Sequence, residues 1–375
     1  MNVAPTGPVR TVVVVGSGAL ARSVVYALAD TDPGPTAVHL IARSAGRLST
    51  MAHVATCRAA LLGSPVRFTP HRLDAERPGD SVAALVGAVG ADVVLNCAST
   101  HSPSEVVARP SGWTDLIRAA GIALALPFHA SFAARLCEAV ARSGGPGTLF
   151  LNAALPDAVN PVLAALGGPI HCGVGNIATV AASLADPGGG LGAGAADDPG
   201  QRLRVLGHHH HLAAPADPRD EARVWHGDVE LTDVGRRLAP MRACDRRLLH
   251  ELTGHTAALL VRDLLRERAV RAHVPGPLGL PGGYPVRLAE GRITLDLPPG
   301  ITEAEAVDLQ SRWGRADGVA VDRHGNAEFA DRVLAASAPH LKLPPTAEPG
   351  QLIALADELA EVRDRLRNEE ARSDR

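Results

Sequence analysis

The segment from Thr11 to Asp30 constrains the fold of this 375-residue chain more than any other. Thr11-Val12-Val13-Val14-Val15 is a β-branched run without alternating polar residues, the pattern of a parallel strand covered on both faces. Gly16-Ser17-Gly18-Ala19-Leu20-Ala21 follows, and the apolar-rich stretch to Asp30 reads as a helix. In this G-x-G-x-x-A spacing the first glycine permits a tight turn and the second lets the backbone approach a pyrophosphate. The alanine lets the helix pack closely on the strand. The helix's free N–H groups and positive dipole end then face the phosphates. Gly16, Ser17, Gly18, Ala19, Leu20 and Ala21 are therefore candidate dinucleotide-binding residues.

The next strand begins at Thr36 and ends at Arg43-Ser44, with Arg47 one helical turn on; no Asp or Glu lies between Thr36 and Arg47. An acid at that strand end holds the ribose hydroxyls of NAD, whereas a guanidinium and a hydroxyl suit a 2′-phosphate. Arg43, Ser44 and Arg47 thus point to NADP(H) as the cofactor.

Strand and helix patterns alternate to about residue 186, which predicts an α/β Rossmann domain with a doubly wound parallel sheet over residues 1–186. Further strands are expected at 64–69, 91–99, 122–127, 148–152 and 169–173. Parallel sheets bind ligands outside the carboxyl ends of their strands. That rule puts Cys97, Ala98 and Ser99 beside the cofactor, and Asn96, Thr100, His101, His129, Asn152 and Asn176 on the nicotinamide or substrate side. Asn152 and Asn176 are the substrate-binding candidates, while Asp157 reads as ordinary helix-start chemistry.

Residues 187–200, dense in glycine, read as a linker or lid. Residues 201–340 read as an α+β substrate domain with a mixed or antiparallel sheet. It is expected to hold a strand at 228–234, a long helix at 243–266, a hairpin around Glu290-Gly291 and a helix over 302–313. A C-terminal helix covers 350–375. Its stripe of Leu352, Leu355, Leu359, Val362 and Leu366 suits packing on the chain's own core, with a homodimer seam as the alternative.

One compositional fact narrows the chemistry: Lys342, in a proline-flanked stretch, is the chain's single lysine. The Ala, Arg, Gly and Pro excess is the bias expected of a high-GC bacterial genome. Proton transfer therefore falls to other groups, unless Lys342 folds back. His208 to His211 form an internal run whose side chains would alternate sides if extended. A metal there needs further ligands such as His226 or Asp228, and no spacing demands one. His209 and His210 are the candidate proton donors or carboxylate binders. Tyr284, in the turn-rich stretch 275–285, is a third candidate. That stretch is either a structural crossing or a substrate lid.

The net charge of −3 and an aromatic content of 3% give neither a basic field nor a stacking surface for nucleic acid. No apolar run reaches membrane-spanning length, and no leader pattern precedes the first strand. Cys57, Cys97, Cys137, Cys172 and Cys244 lack C-x-x-C spacing and read as thiols of a reduced cytoplasm. The expected partner is a small-molecule substrate.

With its G-S-G-A-L-A turn, its Ala42-Arg43-Ser44 strand end and Asp92-Val-Val-Leu-Asn-Cys-Ala98, the first 130 residues resemble the NADP-binding domain of saccharopine-dehydrogenase-like oxidoreductases. The resemblance implies an α+β domain after the Rossmann domain. It also implies hydride transfer at an amino-acid-like carbon of an imine or 2-oxo acid, and it carries over no catalytic residue. The expectation is an NADP(H)-dependent oxidoreductase. The alternative is a non-redox NADP-binding sensor or scaffold, motivated by the missing lysine. A methyltransferase would want an acid where Arg43 stands.

Overall fold

The structure, a computed structural model, describes residues 8–74, 80–102, 105–185 and 203–369. The first half runs β1 (Arg10–Val15), α1 (Ala19–Asp30), β2 (Thr36–Ala42), α2 (Ala45–Leu62), β3 (Val66–Arg72), α3 (Asp80–Val89) and β4 (Val93–Asn96). It continues with α4 (Glu105–Ala108), α5 (Gly112–Ala120), α6 (Leu126–Ser143), β5 (Leu149–Asn152), α7 (Pro156–Ala165), β6 (Ile170–Gly173) and α8 (Asn176–Leu184). The six strands pair in parallel in the order β3-β2-β1-β4-β5-β6. Strand order reverses between β1 and β4, which makes their carboxyl ends the natural crevice for a ligand.

The strand expected at 122–127 is instead helical: Ile122–Ala125 form a 3-10 turn that runs into α6. The segment is apolar on every side because Ala123 to Phe128 are buried, so its pattern carries no period to separate strand from helix. Its alanines and leucines favour helix, and Pro127 is tolerated in a first turn.

The second half runs β7 (Leu203–Leu206), β8 (Arg223–His226), β9 (Val229–Glu230), α9 (Val234–Ala243), α10 (Arg246–Leu265), β10 (Val270–Pro275), β11 (Gly283–Ala289) and β12 (Arg292–Leu295). After these come α11 (Glu303–Asp317), β13 (Val319–Val321), β14 (Ala327–Phe329), α12 (Asp331–Ser337), β15 (Thr346–Ala347) and α13 (Pro349–Leu366). The strands form three antiparallel sheets of three, β7-β8-β9, β10-β11-β12 and β13-β14-β15. The strand expected at 228–234 shrinks to two residues, and Val234 already belongs to α9. The long helix starts at Arg246, where the Asp245 carboxylate caps it by accepting from the Arg247 N–H. Glu290 and Gly291, at φ 52° and 70°, make the tight hairpin turn between β11 and β12.

Both halves share their cores. On one face of the parallel sheet, α5, α6 and α7 pack with β13, β14 and α13. On the other, α1 and α2 pack with α10 and β10 to β12. Gly254 marks the crossing of α10 over α1: a Cβ there would lie 2.5 Å from the Ser23 Cβ. The α13 stripe of Leu352, Leu355, Leu359, Val362 and Leu366 is at most 4% exposed, so it is consumed within the chain and offers no seam to a second copy. The stretch 275–285 is a structural crossing, buried except at Leu278 and Leu280. Gly276 lies so close to Asn160 that a Cβ would approach its Nδ2 to 2.5 Å. The linker or lid expected at 187–200 lies outside the described residues. Among the described residues no single helix is long and apolar enough to cross a membrane; α5 and α6, apolar enough as a pair, meet at a 116° bend and are core helices.

Candidate active site

The turn between β1 and α1 is built for close approach. Gly16 takes φ 128°, and a Cβ on it would sit 2.9 Å from the Cys97 carbonyl oxygen, so only glycine fits against the end of β4. Gly18 differs: its missing Cβ would have nothing within 4 Å. It occupies the N-cap of α1 and offers no side chain to the first-turn N–H groups. Ser17, Ala19 and Leu20 surround this opening, and Ala21 is fully buried against the strand. An exposed helix N-terminus over an open glycine is the geometry a pyrophosphate requires.

At the end of β2, Arg43, Ser44 and Arg47 are all exposed. The Ser44 hydroxyl caps α2, accepting from the Arg47 N–H at 3.4 Å. Sequence reasoning missed Arg72, the last residue of β3, which is exposed and in register with Ala42. It adds a third guanidinium to this edge. The topology rule named strand ends before the register of β3 was known, so Arg72 carried no signal of its own.

Beyond β4, the Cys97 N–H donates to Val15 O and the Ala98 N–H to the Asn96 side chain. The Ser99 hydroxyl accepts from the His101 N–H, shaping the loop. Burial pushes the Cys97 thiol up to about 12, so it is no thiolate at neutral pH.

Asn152 turns out to be a pillar of the strand ends. Its Oδ1 accepts from Asn96 Nδ2 and the Ala154 N–H, both at 3.0 Å. Its Nδ2 donates to Ala154 O and to Asn160 Oδ1, and Asn160 in turn donates to Gly276 O. The amide of Asn152 has no hydrogen-bonding capacity left for a substrate. Asn176 sits at the start of α8 and donates to Asp157 Oδ2 at 3.2 Å. Asp157 is 1% exposed and its Oδ1 has no partner among the described residues. It makes no side-chain cap, but it lies in the first turn of α7, where its charge complements the helix dipole as the helix-start reading expects. Leu155 just before it is held at φ 49°, a conformation costing a non-glycine residue about 1–2 kcal/mol.

The four histidines do not alternate, because they form a 3-10 turn over His209–Leu212. His208 and His211 are spent on the turn itself. The His208 ring accepts from the His210 N–H, and the His211 ring accepts from the His208 N–H at 2.8 Å. His211 is fully buried edge-on to Trp313, with burial pushing it down to about 3. His210 packs its ring against His211, and burial lowers it too. His209 is the exception. Its Nδ1 lies 2.8 Å from Asp317 Oδ2, and a quarter of its side chain stays exposed. Burial works to lower this imidazole, but the Asp317 carboxylate, with that of Asp157 behind it, outweighs burial and holds it above the ordinary value. The same contact holds Asp317 below the usual carboxylate range, against the effect of its own burial. Among the described residues no group of side chains is arranged to hold a metal ion.

Tyr284 does not face an opening: it is fully buried on β11, and burial drives its phenol upward. Asp317 and Arg246 join the site instead. Arg246, in the first turn of α10, forms no ion pair among the described residues and lies within electrostatic reach of His209 and His250. Both were invisible as site residues because each comes from a helix end that only the tertiary fold brings to the histidine turn.

No protein-family model matches the chain, and no curated protein matches it. Solved structures do share its fold. The lactate dehydrogenase of Cryptosporidium parvum, complexed with lactic acid and β-nicotinamide adenine dinucleotide, aligns over 82% of this chain and 95% of its own, at 16% identity and a TM-score of 0.52. The malate dehydrogenase of Plasmodium falciparum in complex with NADH aligns over 82% and 96%, at 12% identity and a TM-score of 0.51. The apo malate dehydrogenase of Picrophilus torridus aligns over 94% and 99%, at 12% identity and a TM-score of 0.53. At such identities the likeness is one of fold, a Rossmann sheet continued by an α+β half. The fold does not single out the saccharopine-dehydrogenase-like group.

Proposed function

We propose that the protein is an NADP(H)-dependent oxidoreductase acting on a small amino-acid-like, imine or 2-oxo-acid substrate. The observation that carries this reading is the His209–Asp317 pair, 2.8 Å apart, in the same chain as an open glycine turn at the head of α1. A dinucleotide fits the residues present: its pyrophosphate over Gly18, its 2′-phosphate among Arg43, Ser44, Arg47 and Arg72. When bound, its nicotinamide supplies or accepts hydride. The chain's own groups handle the rest. His209 holds or takes the proton exchanged with the substrate heteroatom, and Asp317 fixes the imidazole's orientation and steadies its charged form. Arg246 offers a free guanidinium to a substrate carboxylate. Asn176 keeps the buried Asp157 in place next to these groups.

The folds shared with lactate and malate dehydrogenases, and the N-terminal resemblance to saccharopine-dehydrogenase-like enzymes, agree with chemistry at a carbon beside a carboxylate. The missing lysine, which first favoured a sensor or scaffold, loses its force once an oriented histidine is present. The test is a titration of the purified protein with NADPH and NADH, followed by turnover of a panel of 2-oxo acids with and without amines. Tighter NADPH binding and turnover of one substrate class support the reading. NADPH binding with no turnover across the panel favours the sensor, and tighter NADH binding refutes the assignment of the arginine edge.

A further inference from the structure

Helix α10 runs in the same direction as α1 and starts further out. Gly254 crosses α1 at Ser23, and at the far end Arg266 donates to the Asp32 backbone oxygen just past α1. His250 precedes Gly254 by the same four residues that separate Ala19, the first of α1, from Ser23. At about 1.5 Å of rise per residue, both lie about 6 Å before the crossing, so His250 stands level with the head of α1. Arg246, one turn earlier on the same face of α10, overhangs it toward His209, which is within its electrostatic reach. Helical side chains lean toward their own N-terminus, so His250 on α10 and Arg22 on α1 both lean toward the glycine turn. Arg22, Arg246 and His250 are all exposed, and His250 lies within electrostatic reach of both arginines. Neither Arg22 nor Arg246 forms an ion pair among the described residues. Partial desolvation lowers the His250 imidazole and the two arginines push the same way, against Glu251. Cationic groups gathered at one opening repel each other until an anion joins them.

We propose that Arg22 and His250 clamp the pyrophosphate of the dinucleotide between α1 and α10, which makes α10 a cofactor-binding element supplied by the second half of the chain. The N–H groups at the head of α1 meet only the phosphate oxygens that face them, and Gly18 brings no side chain to the others. The oxygens turned away from the helix need donors from elsewhere, and a guanidinium and an imidazole supply them. Arg246, one turn outward, stays with the substrate carboxylate beside His209. Successive turns of one helix then hold the two reactants, the cofactor at His250 and the substrate at Arg246. The assignment rests on the cofactor reading above.

Calorimetric titration of the full chain with NADP⁺ and with NAD⁺ tests the clamp, because the two share the pyrophosphate and differ at the 2′-phosphate. Arg22→Ala and His250→Ala should each weaken both dinucleotides by the same factor, about fivefold or more. The Tm of the unliganded variants should stay in place, since both side chains are exposed. Arg247→Ala is the control: its guanidinium, in the first turn of α10, is already paired with Asp245, and its loss should change neither affinity. A loss below about fivefold in either clamp variant, with NADP⁺ still binding the wild-type chain, overturns the clamp alone. A loss confined to NADP⁺ also overturns it, because the side chain would then serve the 2′-phosphate. So does an equal loss in Arg247→Ala, which would mark a general effect of positive charge. Failure of the wild-type chain to bind NADP⁺ overturns the cofactor reading, and this assignment with it.

Discussion

Replacing Asp317 by Asn keeps the shape of the side chain beside His209 and removes its charge. The carboxylate oxygen lies 2.8 Å from the imidazole Nδ1. With charge centres about 4 Å apart and an effective dielectric near 20, the attraction between them is about 4 kcal/mol. His209 is one-quarter exposed, and solvent takes part of that energy. A hydrogen bond to a charged group retains about 1.5–3 kcal/mol. At about 1.4 kcal/mol per decade, the variant should lose about 10- to 150-fold in kcat/KM for NADPH-dependent reduction at neutral pH. The pH profile gives a second signature. As a donor His209 acts in its protonated form, so the wild-type rate holds up to a pKa raised above the ordinary value and falls beyond it. Without Asp317, burial dominates and lowers that pKa, so the fall must start at lower pH. The affinity for NADPH should not change, because Asp317 ends α11 and does not border the glycine turn. A variant within about threefold of wild type, with the same pH profile, would show that the pair is not the proton-handling unit.

Other outcomes follow from single contacts. Arg43→Ala should weaken NADPH about tenfold or more and leave NADH nearly unchanged, as read by fluorescence titration; equal losses for both would refute the 2′-phosphate assignment. Gly254→Ala places a Cβ 2.5 Å from that of Ser23 and should cost about 1–3 kcal/mol, seen as a lower Tm, with an unchanged Tm contradicting the close crossing of α10 on α1. Asn160→Ala strands an Asn152 N–H and leaves Gly276 O with only the Gly279 N–H, and should destabilise the fold by about 1–3 kcal/mol in urea unfolding. Leu359→Ala, at 1% exposure on α13, should cost about 2–5 kcal/mol without changing the oligomeric state in sedimentation, since its stripe is internal.

The parts legible in the sequence are those whose physics is local. The Val12–Val15 run, the glycine turn, the helix beginning at Thr302 and the Glu290-Gly291 turn each reveal themselves within a few residues, because backbone preference and side-chain period act over that range. All six strands of the parallel sheet followed from the same kind of pattern. Where burial is complete on all sides, as from Ala123 to Phe128, the period vanishes and the expected strand became a helix.

The glycine turn and the acid-free end of β2 were therefore determined by the chain's own order of residues. The identity of the proton-handling group was not. His209 and His210 stood as equal candidates in a run of four histidines, and only the contact with Asp317 at the end of α11, 108 positions away, singled out His209. The same holds for Asn152, which looked free for a substrate until Asn96, Ala154 and Asn160 took up its hydrogen bonds. Charge pairing and amide satisfaction depend on distances of about 3 Å between residues far apart in sequence. Local pattern sets which groups exist; tertiary packing decides which of them remain unspent.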